Sequence, residues 1–254
     1  MHTVNTIVNT VKLRVHVAPV GFEIDRIIVP AINMRADKVW LIGHSNLSDD
    51  KARPFLEKIR KTLTKKNIQV KEVTTDRFRL FDIVKTVKEI IFEEKSNDIY
   101  LNVASGSKIH AVGMMMATMI FDDRSNLHPF YAQAKEYHHT KISEPQTSGI
   151  EAIHDLPTYR IQTPEKKHLA ALKILVNHDG KMKKKQMAEI AEDEKIIVIN
   201  AEPSNHSQAR FASLDKNIIS PLENDWGYIA TEKIGRNRWI HLTEEGKWAS
   251  EFLI

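Results

Sequence analysis

The sequence predicts an α/β protein in two parts, a Rossmann-like, mostly parallel sheet followed by a winged helix-turn-helix domain. Short β-rich segments alternate with helical ones along the first part of the chain. Neighbouring parallel strands need a crossover connection, which is usually helical. Two of the strands, VWLIG and IYLNV, are apolar almost throughout, as strands covered on both faces are. After residue 163 the pattern changes to three helices, a β-hairpin and a closing helix, which is the element order of a winged helix.

Five strands and four helices are predicted in strict alternation in the first part. The strands are KLRVHVAPVG (12–21), KVWLIGHS (38–45), NIQVKEVTT (67–75), DIYLNVAS (98–105) and LHPFYAQA (127–134). The helices are FEIDRIIVPAINM (22–34), a segment from a predicted N-cap at Ser48 to Lys66, LFDIVKTVKEIIFEEK (80–95) and KIHAVGMMMATMIFDD (108–123). Apolar residues in the first and third helices recur at the spacing of one helix face.

Residues 136–163 interrupt this alternation with prolines and no sustained period, which predicts a final edge strand or hairpin followed by a linker. We therefore predict a first domain over residues 1–145, a linker over 146–163 and a second domain over 164–254.

The second domain is predicted to begin with a helix that has Thr163 as its N-cap and Pro164 as its first residue and that ends near residues 177–180. KKKQMAEIAEDE (183–194) is the second helix, and a third from about Ser207 places Phe211, Leu214, Ile218 and Leu222 on one face. YIATEKI (228–234) and RWIHLT (238–243) are strands joined by a basic turn, and TEEGKWASEFLI (243–254) is the closing helix.

The composition excludes several classes of protein. With 42% hydrophobic and 28% charged residues the chain is neither disordered nor fibrous. It has no cysteine, which removes disulfides, thiolate metal sites and cysteine nucleophiles. No segment approaches the roughly 18 apolar residues of a membrane helix and no secretory leader is recognisable, so we expect a cytoplasmic protein without membrane contact. The net charge of +4 is small, so a role in nucleic-acid binding depends on local patches.

Four loops are predicted to share one rim of the sheet, because parallel strands all end at the same edge. They are residues 18–22, 43–46, 74–77 and 104–108. In the last, Gly106 permits a positive φ, the serines offer hydroxyls and helix caps, and Lys108 adds a positive charge. The loop suits an anion or phosphate, or it is an ordinary strand-to-helix turn with Ser107 as N-cap. It is neither a P-loop nor a dinucleotide fingerprint, since both glycine patterns are absent.

Metal and cofactor sites are not predicted. His138 and His139 are adjacent and so point to opposite faces of a strand, and no His-Glu-x-x-His motif occurs. The run from Met114 to Met116 is interpreted as core or dimer packing.

The second domain carries candidate contacts to double-stranded DNA. They lie at the start of its second helix, on the outer face of its third helix and at the hairpin tip, where Arg, Lys, Gln and Asn suit phosphates and base edges. The candidates are Lys183, Lys184, Lys185, Ser207, Gln208, Arg210, Ser213, Lys216, Asn217, Arg236, Asn237 and Arg238. The alternative interpretation is that these residues form solvated surfaces.

With the segments APVGFEIDRI and LNVASGSKIHAVGMMMA, followed by a winged helix, the chain resembles the CARF-domain (CRISPR-associated Rossmann fold) transcriptional regulators, particularly archaeal ones. The resemblance implies a CARF-like homodimer that binds a cyclic oligoadenylate, or a related nucleotide-like anion, across its two-fold axis. It also implies a pocket lined by Pro19, Val20, Gly21, Phe22, Ala104, Ser105, Gly106, Ser107 and Lys108. We include His44, Ser45 and Thr75, from the two intervening loops, as predicted ligand-binding residues.

Three functions remain open on the sequence. The first is a dimeric, ligand-responsive DNA-binding regulator, in which the ligand biases the placement of two recognition helices. The second is a ring nuclease that cleaves its own cyclic ligand, with Ser105, Ser107, Lys108 or His44 as donors to the developing charge; no residue marks a strong general base. The third is a winged helix that binds protein rather than DNA.

Overall fold

The computed structural model describes residues 11–46, 48, 50–122, 126–138, 141 and 144–254. The chain divides into two compact units, Met1–Ile161 and Gln162–Ile254. Within the described residues, no helix is long and apolar enough to cross a membrane.

The first unit confirms the predicted α/β sheet. Its strands are β1 (Arg14–Pro19), β2 (Lys38–His44), β3 (Gln69–Thr75), β4 (Asp98–Asn102), β5 (Leu127–Tyr137) and β6 (Thr147–Asp155). Its helices are α1 (Asp25–Asn33), α2 (Arg53–Lys65), α3 (Leu80–Glu93) and α4 (Lys108–Phe121). The strand order is β3-β2-β1-β4-β5-β6, and every neighbouring pair is parallel except β5 and β6.

The strand order reverses at β1. The chain runs outward from β1 to β3 and then returns to place β4 on the other side of β1. Open α/β sheets form a crevice at such a reversal, outside the carboxyl ends of the strands. The loops that follow β1 and β4 therefore border the crevice.

Helices cover both faces of the sheet. Val39 and Leu41 of β2 pack with α1 and α2 in one buried cluster. Trp40, which lies between them and points to the opposite face, donates its indole N–H to Glu94 at the end of α3 (2.9 Å). Both faces of the central strands are therefore buried, as their apolar sequences predict.

Two details of the first unit differ from the prediction. The edge strand predicted within residues 136–163 is present as β6, but it occupies residues 147–155, inside the range assigned to the linker, where it pairs antiparallel with β5. The N-cap prediction at Ser48 was wrong: Ser48 donates its hydroxyl to Asn46 Oδ1 (2.7 Å), and α2 begins only at Arg53, with Pro54 in its first turn.

The second unit combines helices with a small sheet. The helices are α5 (Lys166–Val176), α6 (Lys184–Asp193), α7 (His206–Leu214) and α8 (Glu244–Leu253). The strands β7 (Lys181–Lys183), β8 (Ile229–Ile234) and β9 (Asn237–Leu242) form a sheet in the order β7-β9-β8. Leu214, Ile218 and Leu222 are fully buried in its core, as their spacing predicts. β7 was not predicted, because three residues carry no recognisable period.

Two π-helical turns, Asp215–Ile219 and Pro221–Asp225, continue α7. Proline has no backbone N–H, so Pro221 cannot donate to the carbonyl of Asn217, four residues earlier. That carbonyl instead accepts from His168 Nε2 of α5 (2.9 Å). The wider helical turns thus lie where the regular hydrogen-bond ladder is interrupted.

Candidate functional site

The loops after β1 and β4 touch through two glycines. A Cβ on Gly21 would lie 3.1 Å from the backbone nitrogen of Gly106. Gly106 has a φ of +76°, and a Cβ there would lie 2.8 Å from Pro19 Cβ. Neither position has room for a side chain without displacing the other loop. The structure thus brings together two loops that are more than eighty residues apart in the sequence.

The helix α4 begins with a reciprocal cap beside this contact. Ser107 Oγ accepts from the backbone N–H of His110 (3.3 Å), and His110 Nδ1 accepts from the backbone N–H of Ser107 (3.3 Å). Ser107 is therefore the N-cap that the alternative interpretation predicted. Lys108 follows immediately and is exposed. The rim thus combines a capped helix start with a solvent-facing cation, a combination that attracts anions.

The loops after β2 and β3 are tied to each other. Ser45 N–H donates to the carbonyl of Thr75 (2.9 Å), and His44 Nδ1 lies 3.3 Å from the same oxygen. His44 is buried, whereas Ser45 is exposed. Phe78, 67% exposed, packs edge-on against the His44 ring with the centroids 5.9 Å apart. All four predicted loops therefore lie at the carboxyl ends of neighbouring strands.

Three buried polar atoms at this rim have no hydrogen-bond partner among the described residues: Thr75 Oγ1, Ser105 Oγ and His110 Nε2. Their residues are 4%, 1% and 4% exposed. Leaving a buried donor or acceptor unpaired costs about 1–3 kcal/mol, so native proteins usually retain such groups for a reason. Thr75 and Ser105 were predicted as ligand-binding residues; His110 was not.

The electrostatics of the rim connect His110 with two other loops. Burial, followed by the positive charges of Arg77 and His44, lowers the pKa of His110 from 6.5 to about 4. Arg77, which was not predicted as a site residue, also lies 5.2 Å from the Phe78 ring centroid. The signal in the sequence was its place in the predicted loop 74–77, where an arginine follows a strand end.

Other predicted residues of the first and fourth loops support the backbone. Val20 is buried and donates its N–H to Ile42 O (2.9 Å), and Phe22 packs edge-on against Phe55 at 5.6 Å. Ala104 N–H donates to Asn102 Oδ1 (3.0 Å) and is likewise buried. These contacts hold the two loops against the strands and helix beneath them.

No group of histidine, aspartate and glutamate side chains in the described part of the chain is arranged to hold a metal ion. His139, one of the two adjacent histidines considered above, lies outside the described residues.

An apolar stripe runs along α4 away from its buried face. Ile109 and Val112 are 37% and 50% exposed, and Met116 and Met119 continue the stripe half-buried. Met114, by contrast, is fully buried, so the methionine run is divided between the core and this surface. The stripe begins beside Lys108.

In the second unit, the predicted nucleic-acid contacts fall into an accessible and an ion-paired set. The accessible residues are Lys183, Lys185, Ser207, Gln208, Lys216, Arg236, Asn237 and Arg238. Arg236 and Asn237 follow Gly235, whose φ of +62° forms the tip between β8 and β9. Lys183 lies over the Trp239 ring, 5.7 Å from its centroid.

The ion-paired set lies between α6 and α7. Arg210 Nε is 2.7 Å from Glu192 Oε2, and Lys184 pairs with Asp215. Asn217 Nδ2 donates to Ser213 Oγ (3.1 Å). The two ion pairs join α6 to α7 and its continuation, so the charges of Arg210 and Lys184 are less available to phosphates than those at the hairpin tip. The Asn217–Ser213 contact lies along one helical segment and leaves these two uncharged side chains paired with each other.

Comparison with known proteins assigns the second unit. Residues 167–254 match a family model described as the DUF6293 C-terminal winged helix domain. The second unit is a winged helix domain. Residues 14–137, in the first unit, match a model described as HFX_2341_N-like, N-terminal.

One curated relative is similar to about half of the chain. It is the uncharacterized protein MJ1513 of Methanocaldococcus jannaschii, 35% identical over 128 residues, which are 48% of this chain and 38% of that protein. The match therefore covers well under half of the relative's own length.

Solved structures give only distant likenesses. Csm6 of Enterococcus italicus, bound to cyclic hexa-2'-fluoro-hexa-dAMP, is 12% identical with a TM-score of 0.43, over 84% of this chain and 56% of that one. Can2 of Sulfobacillus thermosulfidooxidans, in complex with cyclic tetra-adenylate, is 11% identical with a TM-score of 0.39, over 94% and 63%. VC1899 of Vibrio cholerae is 12% identical with a TM-score of 0.40, over 94% and 66%. Likenesses this distant carry no argument about ligand or activity.

Proposed function

We propose that the protein is a homodimeric, DNA-binding transcriptional regulator whose first unit binds a cyclic oligoadenylate or a related nucleotide. The observation that carries the proposal is the set of unpaired, buried polar atoms of Thr75, Ser105 and His110 at the carboxyl edge of the sheet. An unpaired buried group gains a partner when a polar ligand binds, so the rim is a polar binding site.

The chemistry of the rim favours a nucleotide. Lys108 and the capped start of α4 suit a phosphate group, while the recessed hydroxyls and imidazole suit neutral hydrogen-bonding groups such as those of a base or ribose. A simple anion would use the first set and leave the second unpaired. A nucleotide would use both, which agrees with the resemblance of the loop sequences to the CARF regulators.

The apolar stripe on α4 supports a dimer next to this site. Ile109 and Val112 expose hydrophobic surface directly beside Lys108, and such surface is stabilised by burial against a partner. A two-fold axis there would present two copies of Lys108 to one ligand, which suits a symmetric cyclic nucleotide.

The winged helix domain supports the DNA-binding part of the proposal. Its exposed basic hairpin tip and the outer face of α7 provide the two surfaces that winged helices offer to a duplex. Ligand binding would then change DNA affinity by biasing the placement of the two recognition helices of the dimer.

The first test is the melting temperature of the full-length protein with cyclic tri-, tetra- and hexa-adenylate, with linear oligoadenylates and AMP as controls. A selective ligand raises the melting temperature, because it binds only the folded state. We expect one cyclic species to do so. Lys108→Ala should reduce the shift at the same ligand concentration, whereas Lys85→Ala, an exposed lysine on α3, should not.

Absence of a shift with every cyclic species would contradict the proposed ligand. Equal loss of ligand and DNA binding in a folded Lys108→Ala protein would contradict the assignment of ligand binding to the first unit and DNA binding to the second. Linear product in the same incubations would instead favour the ring-nuclease alternative.

A further inference from the structure

The cap of α4 favours one tautomer of His110. The backbone N–H of Ser107 can only donate, and it points to His110 Nδ1 at 3.3 Å. Ser107 Oγ, 2.8 Å from the same nitrogen, can donate its hydroxyl proton there as well. Nδ1 is therefore the acceptor of a neutral ring, and the ring proton is on Nε2. A proton on Nδ1 could still be donated to Ser107 Oγ, but it would face the backbone N–H of Ser107 and lose that contact.

Nε2 is thus a buried donor without an acceptor. It has no partner among the described residues, and the residue is only 4% exposed. Two further unpaired groups, Thr75 Oγ1 and Ser105 Oγ, share the rim. The cap does not explain why a donor is present at Nε2. A side chain with an acceptor only at the position of Nδ1 would form the same cap.

Burial, assisted by neighbouring charges, keeps the ring neutral. Arg77 and His44 face His110 from the loops after β3 and β2, and together with burial they lower its pKa to about 4. At neutral pH, Nε2–H is therefore an uncharged donor that cannot act as an acceptor. It discriminates between ligand atoms that accept a hydrogen bond and those that only donate one.

We propose that His110 is a specificity-determining residue, which donates its Nε2–H to an acceptor atom of the bound nucleotide while its Nδ1 holds the start of α4. This inference rests on the proposed function and names the atom through which the buried part of the site would hydrogen-bond to its ligand. Since Nε2 is closed to solvent, ligand entry requires the surrounding side chains to move. Phe78 is two-thirds exposed and packs on His44. It lies on the same loop as Arg77, whose charge acts on His110.

The test compares two substitutions that separate the two nitrogens. His110→Asn places an amide oxygen near the position of Nδ1, so it keeps the cap but lacks a donor at ε. His110→Gln places an amide N–H near the position of Nε2, so it keeps the donor. Both variants are titrated at pH 7.5 with the cyclic oligoadenylate that stabilises the wild type, and circular dichroism checks that each is folded.

We expect His110→Asn to lose about tenfold in affinity, the effect of one hydrogen bond, and His110→Gln to stay within about threefold of the wild type. Wild-type affinity in the Asn variant would overturn the inference, as would equal losses in both variants. A wild type that binds no cyclic oligoadenylate would overturn the proposed function itself, so the two failures are distinguishable.

The pH dependence of binding identifies the acceptor. A phosphate oxygen would raise the pKa of His110 in the complex above its value of about 4, so affinity would increase from pH 6.5 to pH 5, and His110→Gln would remove that increase. A base or ribose acceptor carries no charge, so the affinities of wild type and His110→Gln would change in parallel between these pH values. Both results support donation from His110 and assign its acceptor.

Discussion

His16 and His110 are buried as neutral rings, each with a pKa lowered to about 4 mainly by burial. His16 packs against Tyr100 and Phe130, with ring centroids 5.1 and 5.7 Å away, and its Nε2 has no partner among the described residues. The folded protein must therefore exclude a proton that the unfolded chain binds below pH 6.5. The first unit should be sensitive to mild acid.

The free energy of unfolding should fall as pH falls from about 6.5 toward 4. Because the folded pKa is below the unfolded one, the stabilisation is complete above pH 6.5 and is lost below it. Between pH 7 and pH 5 we expect each histidine to contribute a loss of about 2 kcal/mol. Urea denaturation at the two pH values measures it, with His16→Phe as the variant that lacks one proton site.

The loss in His16→Phe should be smaller than in the wild type by that single contribution. Comparing each protein with itself at the two pH values cancels the packing change that phenylalanine introduces. An identical loss in both proteins would show that His16 does not titrate differently in the folded state.

At the scale of elements, α4 has two functions in the proposal. Its buried face packs closely on α3: a Cβ on Gly113 would lie 2.8 Å from Ile83 Cγ2. Its other face carries the stripe that begins at Ile109. The sequence predicted a long apolar helix but could not divide its faces, because the helix is apolar nearly all round.

Val112→Glu should weaken dimerisation without unfolding the protein. Val112 is 50% exposed, so a charge there is solvated in the monomer and is buried only if the stripe is an interface. Light scattering across a concentration series should show an increase of about tenfold or more in the dissociation constant. Val198→Glu, at a site that is 71% exposed in the second unit, is the matched control; equal effects of both variants would exclude α4 as the interface.

The helix α7 shows where periodicity is insufficient at the element scale. The spacing of Leu214, Ile218 and Leu222 correctly predicted the buried face. It could not predict the π-helical turns, or that the carbonyl of Asn217 is paired with His168, 49 residues earlier in the chain. The ion pair between Arg210 and Glu192 was hidden for the same reason, since it depends on how α6 packs against α7.

At the scale of the whole molecule, the winged helix domain should bind duplex DNA chiefly through phosphates at the hairpin tip. Arg236→Gln combined with Arg238→Gln should reduce the steepness of the salt dependence, because each lost phosphate contact lowers the log–log slope by about 0.9. Fluorescence anisotropy at several salt concentrations measures this slope. Lys173→Gln, an exposed lysine on α5, should leave it unchanged; no salt-dependent binding by the wild type would instead favour a protein partner.

Much of the architecture was accessible from the sequence, because alternating strands and helices leave a strong pattern and parallel strands share one edge. The pattern placed the four loops together before any contact was known. It could not identify His110, because position N3 of a reciprocal cap is usually glutamate or glutamine and a histidine there looks like any other. The edge strand expected within residues 136–163 could not be given its bounds, since exposed edge strands are less apolar than buried ones.

The contact between Gly21 and Gly106 has a mechanical consequence for the first unit. Backbone meets backbone there, with no flexible side chain between the two loops to absorb a displacement. A displacement of the loop after β4 would therefore displace the segment that leads into α1.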